Sequence, residues 1–414
     1  MMRSHARVTH QPKSCPWHWL RVPSAQSETI PLGSEVAPRI GIALAPMQST
    51  SPIAYDKPCI QSRQIFANAK CQGCQVKFCV IIAAKDEKIG IPKTVSSVLA
   101  AGADPVDVYV VDDGSTDGTG SIAASFGVNV LRNERNIGKA KSILRATQYF
   151  NLTENYDIVC LMDADTEVNA GYFQKGIAEF RNPEVAVVCG RALSVPHNWL
   201  TAYRSLAYWI SHAIYKGGQS NMGVVTVVPG CAASFRADVF AQLEWNSDTI
   251  VEDMDCTIQV YRKKLGKIIY QPDALVYTQD PNNLRGYVKQ MYRWDVGAWQ
   301  VGKKYGMLSG LDRIDLEYKL LMGEGVLFAT IILLAPLWFI LNPIWAGRII
   351  AGEFVFQVLL ATICAMCDRR ADVLISCLVF PVIRLIDCSV FLAAFWGVMI
   401  RQQRIQTWFA VSRY

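Results

Sequence analysis

Four short acidic or aromatic motifs stand in order along the 414-residue chain: Asp112-Asp113, Asp163-Ala164-Asp165, Glu252-Asp253 and Gln290-Met291-Tyr292-Arg293-Trp294. Asp163 and Asp165 flank one small residue, so a single loop can present two hard oxygen ligands to a divalent cation. Mg2+ and Mn2+ both suit such donors, especially where a diphosphate supplies the remaining oxygens. Asp-x-Asp is by itself a common tripeptide; its setting is what makes it informative. The apolar runs Val108-Tyr109-Val110-Val111 and Ile158-Val159-Cys160-Leu161-Met162 lead directly into the first two motifs. Such runs read as buried parallel strands, and in an open α/β sheet ligands gather beyond the carboxyl ends of the strands.

The elements that must position these residues follow from the apolar pattern. Strands are expected at 78–83, 106–111, 128–131, 158–162, 185–189, 224–228 and 267–270, with crossover helices at 94–101, 120–125 and 139–150. This alternation predicts a doubly wound α/β domain over 77–310. The turn Asp113-Gly114-Ser115-Thr116-Asp117-Gly118-Thr119 closes a strand and opens a helix, and Asp117 reads as a helix cap.

The chain is 51% hydrophobic and 18% charged, and its formal net charge of +6 is spread along its length. Without a clustered basic face, nucleic acid is excluded as a partner and the lipid bilayer is the better one. Thirteen cysteines, an odd number without a signal-peptide pattern, argue for a reducing compartment rather than a disulfide scaffold. Residues 1–76, rich in Ser, Pro and Gln, read as disordered. The longest apolar stretch there, 40–47, falls well short of the roughly 20 residues that span a bilayer. Cys71-Gln72-Gly73-Cys74 lacks a second ligand pair and reads as incidental.

Beyond 310 the composition changes. Residues 311–324 mix charges with Leu and Ile and suit an interfacial helix, 325–400 form a membrane region, and 401–414 form a basic tail. The apolar segments are 325–345, 349–366 and 373–400, and the last contains Pro381, Arg384 and Asp387. That segment reads either as a broken or re-entrant helix, or as one long helix with an ion pair at i and i+3.

Taken together, Ile81-Ile82-Ala83-Ala84-Lys85-Asp86-Glu87, Val110-Val111-Asp112-Asp113-Gly114-Ser115-Thr116-Asp117, Asn136-Ile137-Gly138-Lys139-Ala140, Asp163-Ala164-Asp165, Glu252-Asp253-Met254-Asp255 and Gln290-Met291-Tyr292-Arg293-Trp294 resemble the processive family-2 glycosyltransferases. These include the cellulose, chitin, hyaluronan and poly-N-acetylglucosamine synthases. The resemblance covers about residues 78–305. It implies a GT-A-type nucleotide-sugar-binding domain followed by transmembrane helices. Asp112 and Asp113 would contact uracil and ribose, with Glu87 and Lys139 lining the nucleotide pocket. Asp163 and Asp165 would contact ribose and a metal-bound diphosphate. Asp253, beside Glu252, would be the general base of an inverting displacement. Gln290, Arg293 and Trp294 would hold the diphosphate and stack the acceptor sugar. Two positions depart from the usual pattern: Asp86 stands where Asn is usual, and Val251 where Thr is common.

The expected function is a membrane-bound enzyme that extends a β-linked polysaccharide from a UDP-sugar on the cytosolic face of the plasma membrane. The alternative is single addition to a lipid acceptor, as in a ceramide glucosyltransferase-like protein. A membrane partner subunit is a further expectation, because relatives usually carry membrane helices ahead of the catalytic domain. The positive-inside rule places the Asp368-Arg369-Arg370 loop in the cytosol, and a re-entrant last segment would place the carboxy terminus there too.

Overall fold

β1 (Phe78–Ala84) is almost wholly buried, and its alternate residues serve two separate cores. Val80 and Ile82 join Val110, Met162 and the helix α1 (Ile91–Ala100) on one face, while Cys79 and Ile81 join Val111, Leu161 and α3 (Lys139–Tyr149) on the other. A strand apolar at every position is explained by a sheet covered on both sides. This computed structural model describes residues 76–245 and 248–403. The chain divides into Met1–Lys57 and Pro58–Tyr414. The first unit lies outside the described residues, as do the Cys71/Cys74 pair and most of the expected tail.

The sheet has eight strands in the order β3-β2-β1-β4-β7-β6-β8-β5. Its first half is parallel: β2 (Val108–Asp112) and β4 (Ile158–Asp163) flank β1, and β3 (Asn129–Arg132) lies outside β2. α2 (Thr119–Ala124) and α3 supply crossovers. Register sets Ala84 opposite Asp112 and Ala83 opposite Asp163, so the acidic ends of β2 and β4 emerge at nearly one level on either side of β1. That is where the strand order reverses, and a crevice forms there. The other half is mixed: β7 (Ala233–Arg236) runs antiparallel to β4 and β6 (Val185–Ser194), while β5 (Thr166–Val168) runs antiparallel to β8 (Lys267–Thr278).

Two of the expected strands need correction. Residues 224–228 are not a strand. Val224, Val225 and Val228 are buried as the apolar run requires, yet their backbone N–H groups are satisfied elsewhere: Val224 donates to the Gln219 carbonyl and Val228 to Thr257 Oγ1. The pairing strand comes later, at β7. The last long strand also continues past 270, through Pro272, to Thr278, with a register irregularity where it passes Cys189 and Arg191.

α4 (Trp199–Trp209), α5 (Glu252–Arg262) and α6 (Leu284–Lys304) complete the domain. The expected interfacial segment and first span are a single helix, α7 (Arg313–Leu333), anchored by Arg262 contacts to Asp312 and Asp315. It bends by 55° into α8 (Ala335–Leu341) at a break near Pro336. α9 (Pro343–Asp368) and the stretch Ala371–Ile400, whose main part is α10 (Ser376–Phe395), are each long and apolar enough to cross a bilayer. Their exposed Leu, Ile, Phe and Trp side chains make the large apolar surface that a membrane, not water, accommodates.

Of the two readings of this segment, the continuous helix is the one found and the break at Pro381 is absent: α10 continues through it with Phe380 and Ile383 packed against Leu200, Tyr203 and Tyr287 on either side of the proline. Nor do Arg384 and Asp387 form the i, i+3 hydrogen-bonded pair. Arg384 instead approaches Glu353 of α9 at 3.4 Å and lies over Phe328 and Phe380, while Asp387 accepts from Tyr203 and Tyr287. Each charge is thus spent on tying α10 to another helix.

Candidate functional site

Asp163 ends β4 and Asp165 follows in the turn, and the loop after β1 together with the start of α1 holds that turn in place. Thr94 Oγ1 donates to the Ala164 carbonyl at 2.8 Å, and a Cβ on Gly90 would stand 2.7 Å from that same oxygen. Only a glycine allows this approach, since the same Cβ would also stand 3.3 Å from Asp165 Cα and from Glu87 Oε2. Glu87 is buried, and its backbone N–H donates to Thr119 Oγ1 at 2.8 Å.

Lys139, the first residue of α3, joins two motifs that lie far apart in sequence. Its Nζ is 2.6 Å from Asp163 Oδ1 and 2.8 Å from Glu252 Oε1. Burial would depress this ammonium, but the two carboxylates outweigh it and hold its pKa well above the ordinary value. Asp253 follows Glu252 in the first turn of α5. Its carboxylate accepts the Met254 N–H at 2.8 Å and faces the Gly230 N–H at 3.4 Å. Burial, and next the charge of Glu252, push the Asp253 pKa up, against the opposing pull of Lys139 and of the Met254 N–H. Lys139, Gly230, Glu252 and Asp253 line a small cavity together with Leu161, Phe235 and Trp245.

Gly230 was not singled out in the sequence. A Cβ there would meet Lys139 Nζ at 2.7 Å, so the glycine is the gap through which the lysine reaches both carboxylates. The Pro229-Gly230 turn before β7 was the available signal, but nothing local tied it to Lys139.

Asp112 and Asp113 sit at the expected strand end, yet they are 1% and 4% exposed. Asp112 accepts the Ser115 N–H at 2.7 Å. The Asp113 carboxylate accepts from Asn133 Nδ2 and from the N–H groups of Ile137 and Gly138, all within 2.9 Å. These two side chains therefore fix the 113–119 and 136–138 loops that frame the crevice. Asp117 lies one residue before the N-cap, which is Gly118, and accepts from the Thr119 N–H and Oγ1 at the start of the helix.

α6 carries Gln290, Arg293 and Trp294, and its approach to α5 depends on Val251. That side chain is buried against Gly297, where a Cβ would come within 2.4 Å of it. The Ile250 N–H donates to Gln300 Oε1 at 3.1 Å, and Lys304 Nζ lies 2.7 Å from Asp255 Oδ2. These contacts hold the Glu252–Asp253 turn beside α6. The valine that departs from the usual threonine is thus a packing residue.

Among the described residues no three His, Cys, Asp or Glu side chains gather into a metal cage. The donor set still fits Mg2+ or Mn2+, because such ions in phosphate chemistry are held by one or two carboxylates with substrate oxygens and water completing the shell. Asp163 is about a third exposed and opens on the crevice.

The family model for glycosyl transferase family 2 matches residues 79–244. The chain carries a family 2 glycosyltransferase domain. The domain's matched segment spans β1 to the turn after β7, including the Asp112-Asp113 and Asp163–Asp165 loops and Lys139. The chain is 26% identical over 242 residues to a probable glycosyltransferase of Bacillus subtilis, covering 55% of this chain and 57% of the relative. It is 28% identical over 239 residues to an N-acetylglucosaminyltransferase of Rhizobium meliloti (52% and 54% covered). It is 25% identical over 228 residues to the poly-beta-1,6-N-acetyl-D-glucosamine synthase of Staphylococcus epidermidis (53% and 54%). The matches thus span about half the length of these curated relatives. The fold is similar to that of a mannosyltransferase from Pyrobaculum calidifontis solved with GDP-Man and Mn2+, with a TM-score of 0.51, 16% identity, and 84% of this chain and 95% of that one covered. The family 2 domain therefore has the GT-A-like α/β sheet that the resemblance implied, followed by helices apolar enough to span a membrane.

Proposed function

We propose that the protein is a membrane-bound inverting glycosyltransferase that transfers a sugar from a UDP-sugar to a growing β-linked polysaccharide of the poly-N-acetylglucosamine, hyaluronan, chitin or cellulose type. The observation that carries this reading is the bridge made by Lys139 between Asp163 and Glu252, which sets the donor-side carboxylates beside the Asp253 base. The names of the relatives, an N-acetylglucosaminyltransferase and a poly-beta-1,6-N-acetyl-D-glucosamine synthase, support the sugar-polymer class.

Asp112, Asp113 and Glu87 frame the end of the crevice assigned to uracil and ribose, and Lys139 faces the diphosphate. Asp163 and Asp165 would hold Mg2+ or Mn2+, which when bound neutralises charge on the diphosphate. Asp253 takes the proton from the acceptor hydroxyl as that oxygen attacks the anomeric carbon. The bond from that carbon to the diphosphate breaks, UDP leaves, and the configuration inverts. A carboxylate with a raised pKa is the stronger base for this transfer. Arg293 pairs with phosphate oxygens through its planar fork, Gln290 lies one turn from Trp294 on α6, and Trp294 offers an aromatic face to the apolar face of the acceptor sugar.

Incubation of the membrane-embedded protein with radiolabelled UDP-sugars, followed by product sizing, tests the reading. Large labelled material is expected. A single chloroform-soluble product would replace it with one-step transfer to a lipid, and no incorporation from any UDP-sugar would remove it.

A further inference from the structure

Arg204 lies outside every motif named above, yet its side chain is buried against the helix that carries Gln290, Arg293 and Trp294. Its guanidinium carbon is 4.6 Å from the Tyr208 ring centre on one element and 4.9 Å from the Trp294 ring centre on the other. Nε donates to Asp280 Oδ1 at 3.1 Å, Tyr208 OH donates to the same oxygen at 3.1 Å, and Nη1 reaches Met291 Sδ at 3.6 Å. The guanidinium thus lies over the Tyr208 and Trp294 rings, with the Tyr287 ring centre 5.8 Å away, and is hydrogen-bonded to Asp280. A buried ion pair is a weak stabiliser, and here Arg204 Nη2 and Asp280 Oδ2 find no hydrogen-bond partner among the described residues. Packing alone is a poor account of so demanding a pair.

We propose that Arg204 is a positioning residue for the acceptor platform: it holds the Trp294 indole in the plane against which the acceptor sugar stacks. This rests on the acceptor role given to Trp294 above. A flat, delocalised cation against an indole face supplies both attraction and orientation, and lysine supplies only the charge. Arg204→Lys can keep a charge near Asp280 but offers no flat group to the Tyr208 and Trp294 rings.

The test uses the full-length protein in detergent, UDP-N-acetylglucosamine as donor and β-linked N-acetylglucosamine oligosaccharides as acceptor. Arg204→Lys should raise the acceptor KM about tenfold, while the donor KM and calorimetric UDP affinity stay at the wild-type values. In a Trp294→Phe background the same substitution should add little, because both act through one platform. Should Arg204→Lys fail to bind UDP and so prove misfolded, Tyr208→Leu, which removes one of the rings that hold the guanidinium, must give the same selective rise in acceptor KM. An unchanged acceptor KM, an equal loss in donor and acceptor parameters, or full additivity with Trp294→Phe would overturn the inference while leaving the functional reading intact. A wild-type protein that transfers no sugar from any UDP-sugar would overturn both.

Discussion

Asp253 and Glu252 are adjacent carboxylates with different surroundings, and the difference assigns their work. Asp253 is raised by burial and by its neighbour's charge, whereas Glu252 spends an oxygen on Lys139. Asp253→Asn should keep UDP affinity in calorimetry and lose transfer; lost UDP affinity would place Asp253 in the nucleotide site instead. The base must be ionised to act, so the rate should fall as pH drops through the raised Asp253 pKa, and this acid limb should lie above the ordinary aspartate value of about 3.9. Glu252→Gln removes a repelling charge and should move that limb to lower pH in the kcat profile, whatever its effect on the maximum rate. An unmoved limb would mean that another group titrates. Asp165→Asn should nearly abolish transfer in Mg2+ or Mn2+ buffer with an unchanged circular dichroism spectrum. Wild-type turnover by that folded variant would remove Asp165 from the metal site.

At the scale of elements, the site depends on how closely α5 and α6 approach. Val251 occupies the space that a Cβ on Gly297 would need, and Val251 is a stiff β-branched side chain immediately before Glu252. Gly297→Ala should therefore cost stability, by about 1–3 kcal/mol for overpacking, and should lower kcat more than it raises the UDP-sugar KM. Thermal unfolding and steady-state kinetics on the same preparation check both parts. A stable variant with wild-type kcat would show that the α5 turn need not be held by α6. The strands that bring the loops together were largely legible, because apolar runs of four to seven residues bounded by turns had few other readings. The 224–228 stretch was misread for a specific reason: burial of its valines produces a strand-like pattern, while Gln219 and Thr257 take the hydrogen bonds that a neighbouring strand would otherwise have made.

At the scale of the whole molecule, the membrane helices are joined to the catalytic domain by polar contacts as well as apolar packing. Arg191 on β6 pairs with Asp368 at 2.7 Å, and Arg370 Nη1 donates to the Ser194 carbonyl at 2.8 Å. The loop between α9 and the segment leading to α10 thus lies against the sheet domain. Further along, Phe391 and Phe395 of α10 pack on Trp299 of α6. The contact of the Asp368–Arg370 loop with the sheet domain predicts that a cysteine introduced as Arg369→Cys, in a background without other reactive thiols, will be labelled by an impermeant reagent only from the side of the membrane on which that domain lies. Labelling of that cysteine from the opposite side would separate the loop from the domain and require a different path for α9.

By itself the sequence determined the alternating α/β pattern, the strand ends at which Asp112, Asp113 and Asp163 emerge, and the change to apolar composition beyond residue 310. Those features are local: each is written in a run of neighbouring residues whose burial or turn chemistry has one economical reading. Only the tertiary structure decided that Lys139 spans Asp163 and Glu252, that Gly230 makes room for it, that Asp113 is occupied by Asn133 and the Ile137–Gly138 backbone, and that Arg204 lies against Trp294. These pairs are separated by tens of residues or more, and no local pattern records which side chains will meet. Contacts of that kind are chosen by the packing of two cores and a helix layer, where each approach must satisfy volume and hydrogen bonding at once.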